Sequence, residues 1–209
     1  QNRQQQGRDG VWLDLPTTTE QVQAALRQIG ISSDNPQGLF ISGYFAEEEK
    51  RFAIPYNMVL ASNVDELNFL AARLETLSAG ERAELNAALQ APQSELFSIG
   101  RITDFPENVD YYVHLPDVHG PAQLGDYYLN RSGMVDMPEE WKGGIDTAQF
   151  GRYVAQQEQG VFTEYGYLVK SGDAWQKVHE GQPVPEEYRV LSFPAPEVLR
   201  DSANIPPPV

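Results

Sequence analysis

The segment "SNVDELNFLAARLETLSAGERAELNAALQ", residues 62–90, has the residue spacing of two short helices joined by a tight turn. Its apolar residues recur at intervals of three and four, which predicts that the first helix buries a single face. That face consists of Leu67, Leu70, Ala71, Leu74 and Leu77. Phe69 falls on the opposite side, so we expect it to contact another domain or another subunit.

Five carboxylates lie in this helical hairpin, and three of them have a structural interpretation. In a capping box, a Ser or Asn side chain accepts from a backbone N–H, and an acid three residues later accepts in return. Such boxes are predicted at Ser62 with Asp65 or Asn63 with Glu66, and at Ser78 with Glu81. Glu75 and Glu84 lie off the leucine face and cap nothing, so we expect them to face a partner.

The segments on either side of the hairpin predict an α+β fold. "GVWLDLP", "LFISGYF" and "RFAIPYN" are strand candidates, while "TTTEQVQAALRQIG" has a capping signature and helical spacing up to Gly30. Residues 10–60 are therefore interpreted as an N-terminal α+β domain with a sheet, and residues 61–103 as a central helical domain.

Residues 104–192 are predicted to form a C-terminal α+β domain. "DYYVHL" and "GVFTEYGYLVK" have the alternation of strands, whereas "AQLGDYYLN" and "IDTAQFGRYVAQQ" have helical spacing. Residues 1–9 are expected to form a flexible polar tail and residues 193–209 a proline-rich tail.

Charge limits the partners that this chain can bind. It has 30 Asp and Glu against 15 Lys and Arg, a net charge of −15, and no Lys or Arg between residues 102 and 130. Such a charge repels nucleic acid and anionic membranes, so an electrostatically guided partner is expected to be basic. No apolar run approaches the roughly 20 residues of a membrane helix, and we expect a cytoplasmic protein.

Motifs for catalysis or cofactor binding are not recognisable. The chain has no cysteine, which excludes disulfides and zinc–thiolate sites, and it contains no phosphate-binding loop or nucleophile elbow. His114, Asp117 and His119 lie close together in the sequence, but a proline intervenes and no helical HExxH register exists. A metal site would need a ligand from elsewhere in the chain, so a structural role is favoured. We expect no enzyme activity and no cofactor, although paired carboxylates of a hydrolase are not excluded by spacing.

The order of several segments resembles the ArdA family of antirestriction proteins. The similarity begins with "GVWLDLPTTTEQVQAALRQIG", "FISGYF" and "SNVDELNFLAARLETLS". It continues through "LGDYYLNRSGMVDMPEEW", "IDTAQFGRYV" and "GVFTEYGYLV", which gives a collinear match over about residues 10–170. Two acids that are usual in the family are replaced by Gln149 and Tyr153, so the surface is expected to lack two negative charges there.

The resemblance implies an elongated chain of three small domains that forms a homodimer and is carried by mobile genetic elements in a bacterial host. It implies a DNA mimic that binds the specificity and methyltransferase subunits of type I restriction–modification enzymes in place of DNA. An acidic adaptor for another basic DNA-binding protein is the alternative. The acids expected to bind the partner are Asp65, Glu66, Glu75, Glu84, Asp104, Glu107, Asp110, Asp117, Asp126, Asp136, Glu139, Glu140 and Asp146.

Overall fold

The structure is a computed structural model that describes residues 10–31, 40–46, 51–92 and 94–191. Within these ranges it is a mixed α+β fold with a small antiparallel sheet, as predicted. The predicted tails at 1–9 and 193–209 lie outside them. The helices are α1 Thr19–Gln28, α2 Tyr56–Leu60, α3 Val64–Glu75, α4 Ala79–Gln90, α5 Ile99–Thr103, α6 Pro121–Asp126, α7 Glu139–Lys142 and α8 Thr147–Glu158. The strands are β1 Tyr112–Leu115, β2 Val161–Thr163 and β3 Gly166–Lys170. No helix in the described ranges is long and apolar enough to cross a membrane.

Helix α1 begins and ends where its sequence predicts. Thr18 is the N-cap and forms a capping box with Gln21. Gly30 follows the helix with φ of 70°, a left-handed conformation that glycine adopts without a steric penalty.

The predicted N-terminal strands are wrong over the part of the chain that the structure describes. Residues 10–14, 40–46 and 51–55 are extended or irregular and join no sheet, while Leu39 of "LFISGYF" lies outside the described residues. Side chains rather than a backbone ladder connect the second and third segments. The Tyr44 hydroxyl donates to the Ile54 carbonyl, and the Tyr56 hydroxyl donates to the Ser42 carbonyl, both at 2.8 Å.

The predicted helical hairpin is confirmed as α3 and α4. Of the two possible caps for α3, Asn63 with Glu66 is the one that forms, because Ser62 Oγ instead donates to the Met58 carbonyl at 2.8 Å. The second box joins Ser78 and Glu81. The leucine face is buried in the largest core cluster through Leu67, Leu70, Leu74 and Leu77.

The sheet has the order β1–β3–β2, and both pairings are antiparallel. "GVFTEYGYLVK", read from the sequence as one strand, is a hairpin of β2 and β3 that turns at Glu164 and Tyr165. Gly166 explains the turn, since its φ is 118° and a Cβ there would crowd the Leu115 carbonyl and Pro116. The sequence pattern alone did not reveal this reversal.

Three core clusters stabilise the fold. The largest contains residues between Ile54 and Leu168 and combines the helical hairpin of α3 and α4 with α5, β1 and β3. It therefore includes residues from all three predicted domains. The second centres on Tyr167 and packs α6 and α8 against the sheet. The third joins Val22 and Leu26 of α1 to Val190. The division into three domains stays a prediction.

Helices α6 and α8 cross in backbone contact at two glycines. A Cβ on Gly125 would overlap the Thr147 carbonyl, and a Cβ on Gly151 would overlap the Pro121 carbonyl. Neither overlap is with a flexible side chain, so only glycine allows the helices to approach this closely.

The segment that follows the sheet, residues 175–191, is called the strap here. It crosses α5 and α3 and reaches α1. Asn108 Oδ1 accepts from the Gln176 N–H at 2.7 Å, and Asn68 Nδ2 donates to the Tyr188 carbonyl at 3.0 Å. Phe69 lies between the rings of His179 and Tyr188 at centroid distances of 5.0 and 4.8 Å. The contact partner predicted for Phe69 is therefore a later segment of the same chain.

Candidate partner-binding acidic surface

The thirteen candidate acids divide into those that solvent reaches freely and those that the fold uses. The exposed carboxylates are Glu75, Asp110, Asp117, Asp136, Glu139, Glu140 and Asp146. The other six are half-buried or buried, and hydrogen bonds, ion pairs or burial reduce the charge that each of them offers to a partner.

Asp104 is fully buried and does not face a partner in this structure, so the expectation that it lies on the binding surface requires correction. Its Oδ1 accepts from the backbone N–H of His179 at 2.6 Å, and its Oδ2 accepts from those of Val178 and Glu180 at 3.2 Å. A carboxylate that receives three N–H groups is satisfied without solvent. Asp104 therefore anchors the strap.

Asp65 and Glu66, in the first turn of α3, also have structural partners. Asp65 Oδ1 accepts from the N–H groups of Val190 and Leu191, each at 2.7 Å. Glu66 completes the cap by accepting from the Asn63 N–H at 3.1 Å. Both side chains are half-buried, so they offer a partner less charge than the sequence implies.

Glu107 and Asp126 are each paired with an arginine. Glu107 forms an ion pair with Arg73 that joins the turn after α5 to α3. Asp126 Oδ2 lies 3.1 Å from Arg131 Nη2, with both side chains about half exposed. These pairs reduce the net negative charge at both positions, and at Asp126 the reduction is small because solvent screens the pair.

Glu84 does not behave as a surface acid. One of its carboxylate oxygens, Oε1, is buried without a hydrogen-bond partner among the described residues. The pKa of Glu84 is raised to about 8, mainly by burial and to a smaller extent by the neighbouring carboxylates of Glu81 and Asp110. The side chain is therefore mostly protonated at neutral pH and contributes little to the negative surface.

Five of the exposed candidate acids have neither an ion pair nor a hydrogen bond among the described residues. They are Glu75, Asp110, Asp117, Asp136 and Glu140. Two further exposed acids are engaged locally, since Asp146 Oδ1 caps α8 at Gln149 N and Glu139 lies 2.9 Å from Lys142 Nζ. The unpaired group spans α3 to α7 and is the part of the prediction that the geometry supports best.

Two cations close to α5 and the sheet are paired with carboxylates of the fold. Arg101 is buried between Glu95 and Glu180 at 3.2 and 2.8 Å, and its guanidinium lies over the ring of Phe97. Lys170 lies 3.1 Å from Glu95. Since Arg101 and Lys170 lie next to Glu95 and Glu180, their charges offset little of the charge on the unpaired acids.

Six described exposed acids lie outside the predicted set. Two lie at α1, one in the β2–β3 turn and three after the sheet: Asp14, Glu20, Glu164, Asp173, Glu186 and Glu187. Their charge is the only sequence signal for them.

The two departures from the family pattern both lie on α8. Gln149 and Tyr153 are exposed, and Tyr153 is 60% accessible. Solvent therefore reaches both positions at which the sequence lacks an acid. Charge introduced at either one would enter the exposed surface.

The histidines form no recognisable metal centre. Nε2 of His114 donates to the Tyr165 carbonyl at 2.7 Å, which engages that nitrogen in the β2–β3 turn. Among the residues that the structure describes, no group of three His, Asp or Glu is arranged to hold a metal ion.

Comparison with known proteins identifies the family. No curated protein matches the chain. The sequence model of the antirestriction protein (ArdA) family matches residues 6–169, which is more than three quarters of the 209 residues. The match includes all thirteen candidate acids and ends just before the strap. The chain therefore belongs to the ArdA family of antirestriction proteins.

Proposed function

We propose that this protein is a DNA mimic that inhibits type I restriction–modification enzymes by occupying the groove in which their specificity and methyltransferase subunits bind DNA. The observation that carries the proposal is a group of five exposed candidate carboxylates that have neither an ion pair nor a hydrogen bond among the described residues. Those carboxylates are Glu75, Asp110, Asp117, Asp136 and Glu140.

The electrostatic argument concerns the density of charge. B-DNA carries one negative charge per ~1.7 Å of axis, and a groove that binds it presents Lys and Arg at matching density. A folded acidic protein in that groove engages the same cations.

The proposal includes a homodimer that acts in the cytoplasm of a bacterial host, since restriction enzymes meet foreign DNA there. The protein is not expected to catalyse a reaction or to need a cofactor. Competition with DNA for a positively charged groove is sufficient for inhibition.

A DNA-protection assay tests this function. Unmodified DNA is incubated with a type I nuclease and increasing amounts of the protein, at salt concentrations from about 50 to 200 mM. We expect protection that weakens steeply as salt rises, because salt anions compete with the carboxylates for the Lys and Arg side chains of the groove. Binding to a basic DNA-binding protein without any protection would favour the acidic adaptor instead. Protection that is independent of salt would contradict electrostatic competition.

A further inference from the structure

The strap reaches α1 through an apolar contact. Val190 is 3% exposed and forms a core cluster with Val22 and Leu26 of α1. Leu191 from the strap and Val64 from α3 pack against the same cluster. The buried face of α1 therefore depends on apolar side chains that follow it by more than 160 residues.

A single side chain also bridges the two ends of the described chain. Asn68 is 2% exposed, and its Oδ1 accepts from the Thr17 N–H at 2.6 Å while its Nδ2 donates to the Tyr188 carbonyl at 3.0 Å. Thr17 directly precedes the N-cap of α1. The amide thus connects the start of α1 to the strap through α3.

Two carboxylates hold the strap on both sides of this bridge. Asp104 receives the N–H groups of residues 178–180, and Asp65 receives those of residues 190 and 191. Charge-assisted bonds of this kind are about twice as strong as neutral ones. Both acids lie in the region matched by the family, whereas the strap lies beyond it.

We propose that the strap is a positioning element: it holds α1 on α3 and thereby fixes where four exposed acids lie relative to the rest of the acidic surface. Asp14 and Glu20 lie at α1, and Glu186 and Glu187 lie on the strap itself. The effect on inhibition rests on the proposed function, whereas the effect on α1 does not.

The strap offers a matched pair of substitutions for the test. Val178 and Val190 both donate a backbone N–H to an aspartate, but the Val178 side chain is 43% exposed and that of Val190 is 3% exposed. Val190→Asp places a carboxylate in the cluster with α1, and Val178→Asp places the same carboxylate in solvent. Hydrogen exchange of the full chain is then followed in α1 and in α8.

In Val190→Asp we expect α1 amides to exchange at least about tenfold faster while α8 amides are unchanged, since local opening lowers protection only where contacts are lost. Val178→Asp is expected to match the wild type in both helices. If Val190→Asp unfolds the whole chain, Val190→Ala replaces it, with an expected acceleration of several-fold confined to α1. Unchanged α1 exchange in a folded Val190 variant overturns the proposal.

Inhibition is measured on the same variants. We expect Val190→Asp to need several-fold more protein than Val178→Asp for equal DNA protection, because each variant adds one acid and only the first displaces α1. Equal protection by the two, with α1 exchange accelerated, overturns the role of the strap in inhibition. If the wild type itself fails to protect DNA, the proposed function fails, and the exchange data alone decide whether the strap holds α1.

Discussion

The backbone N–H of His179 donates a 2.6 Å hydrogen bond to Oδ1 of Asp104, which lies 75 residues earlier in the chain. The neighbouring N–H groups of Val178 and Glu180 share the other oxygen. An acid that the charge pattern assigns to the surface is thus the main anchor of the strap. In an acidic protein, position in the fold separates carboxylates that bind a partner from those that stabilise the chain.

Asp104→Asn tests that separation. The amide keeps the shape but offers one acceptor oxygen and two hydrogens to three N–H groups, so at least one buried donor loses its partner. We expect a loss of about 2–4 kcal/mol in the free energy of unfolding, measured by urea denaturation. Asp117→Asn is the control at an exposed site, with an expected change within about 0.5 kcal/mol. Equal effects of the two substitutions would contradict the anchoring role.

The contact between α6 and α8 gives a second prediction. Gly151→Ala forces a methyl group against the Pro121 carbonyl, and backbone there has little room to move. We expect a destabilisation of about 1–3 kcal/mol, as for overpacked cores. Thermal unfolding monitored by circular dichroism provides the measurement.

Gly80→Ala is the matched control, because Gly80 lies in the first turn of α4 and a Cβ there meets nothing within 4 Å. The same substitution is expected to stabilise the protein by up to about 1 kcal/mol through helix propensity. A destabilised Gly80 variant would show that the loss at Gly151 reflects glycine replacement in general.

Local chemistry explains which features were predictable from the sequence. The capping boxes of α3 and α4 involve residues three apart, so the pattern contains all the information that the cap needs. The leucine face of α3 is similarly local. The N-terminal strands failed because a strand forms only with a partner, and residues 40–46 are held instead by the hydroxyls of Tyr44 and Tyr56.

The candidate acids were less predictable than the helices, because their burial depends on distant segments. Nothing near Asp104 in the sequence indicates that residues 178–180 cover it. Glu84 lies on α4, but its environment includes Asp110, which follows α5. Seven of the candidate acids between Glu75 and Asp146 are exposed in the structure, since charge and solvation usually coincide. Their binding to a partner stays a prediction.

Glu84 predicts an unusual pH dependence. Its pKa is about 8 in the folded protein, mainly because of burial, against an ordinary value of 4.5. Between these pH values the unfolded chain releases the proton while the folded chain retains it, so this group lowers stability as pH rises from 4.5 to about 8. Below 4.5 it contributes no such difference.

Glu84→Gln removes this titration. The free energy of unfolding of the variant minus that of the wild type is measured at about pH 5 and about pH 8.5. We expect this difference to be about 1–2 kcal/mol more favourable to the variant at the higher pH, with solvent screening allowed for. Urea denaturation at the two pH values measures the difference. Glu75→Gln, at an exposed site of the same helical hairpin, is the control. It shows how much of the effect comes from losing an acid of any kind and how much from losing the buried one. A difference for Glu84→Gln that does not change with pH would refute the assignment.

The same variant is a control for the binding surface. At neutral pH, Glu84→Gln removes a carboxyl that is mostly protonated, so we expect DNA protection equal to that of the wild type. Amide replacement at the unpaired exposed acids removes a full charge at each site. The set is Glu75→Gln, Asp110→Asn, Asp117→Asn, Asp136→Asn and Glu140→Gln.

Each of these five replacements is expected to weaken protection by a few-fold, and all five together should weaken it by a factor on the order of 100 or more, because about 1 kcal/mol per engaged charge accumulates. The slope of log affinity against log salt should fall by about one for each cation that loses its partner. Titration of DNA protection at three salt concentrations measures both quantities. Full protection by the fivefold variant would mean that this surface does not face the restriction enzyme. A loss concentrated in one substitution would indicate a specific contact in place of distributed mimicry.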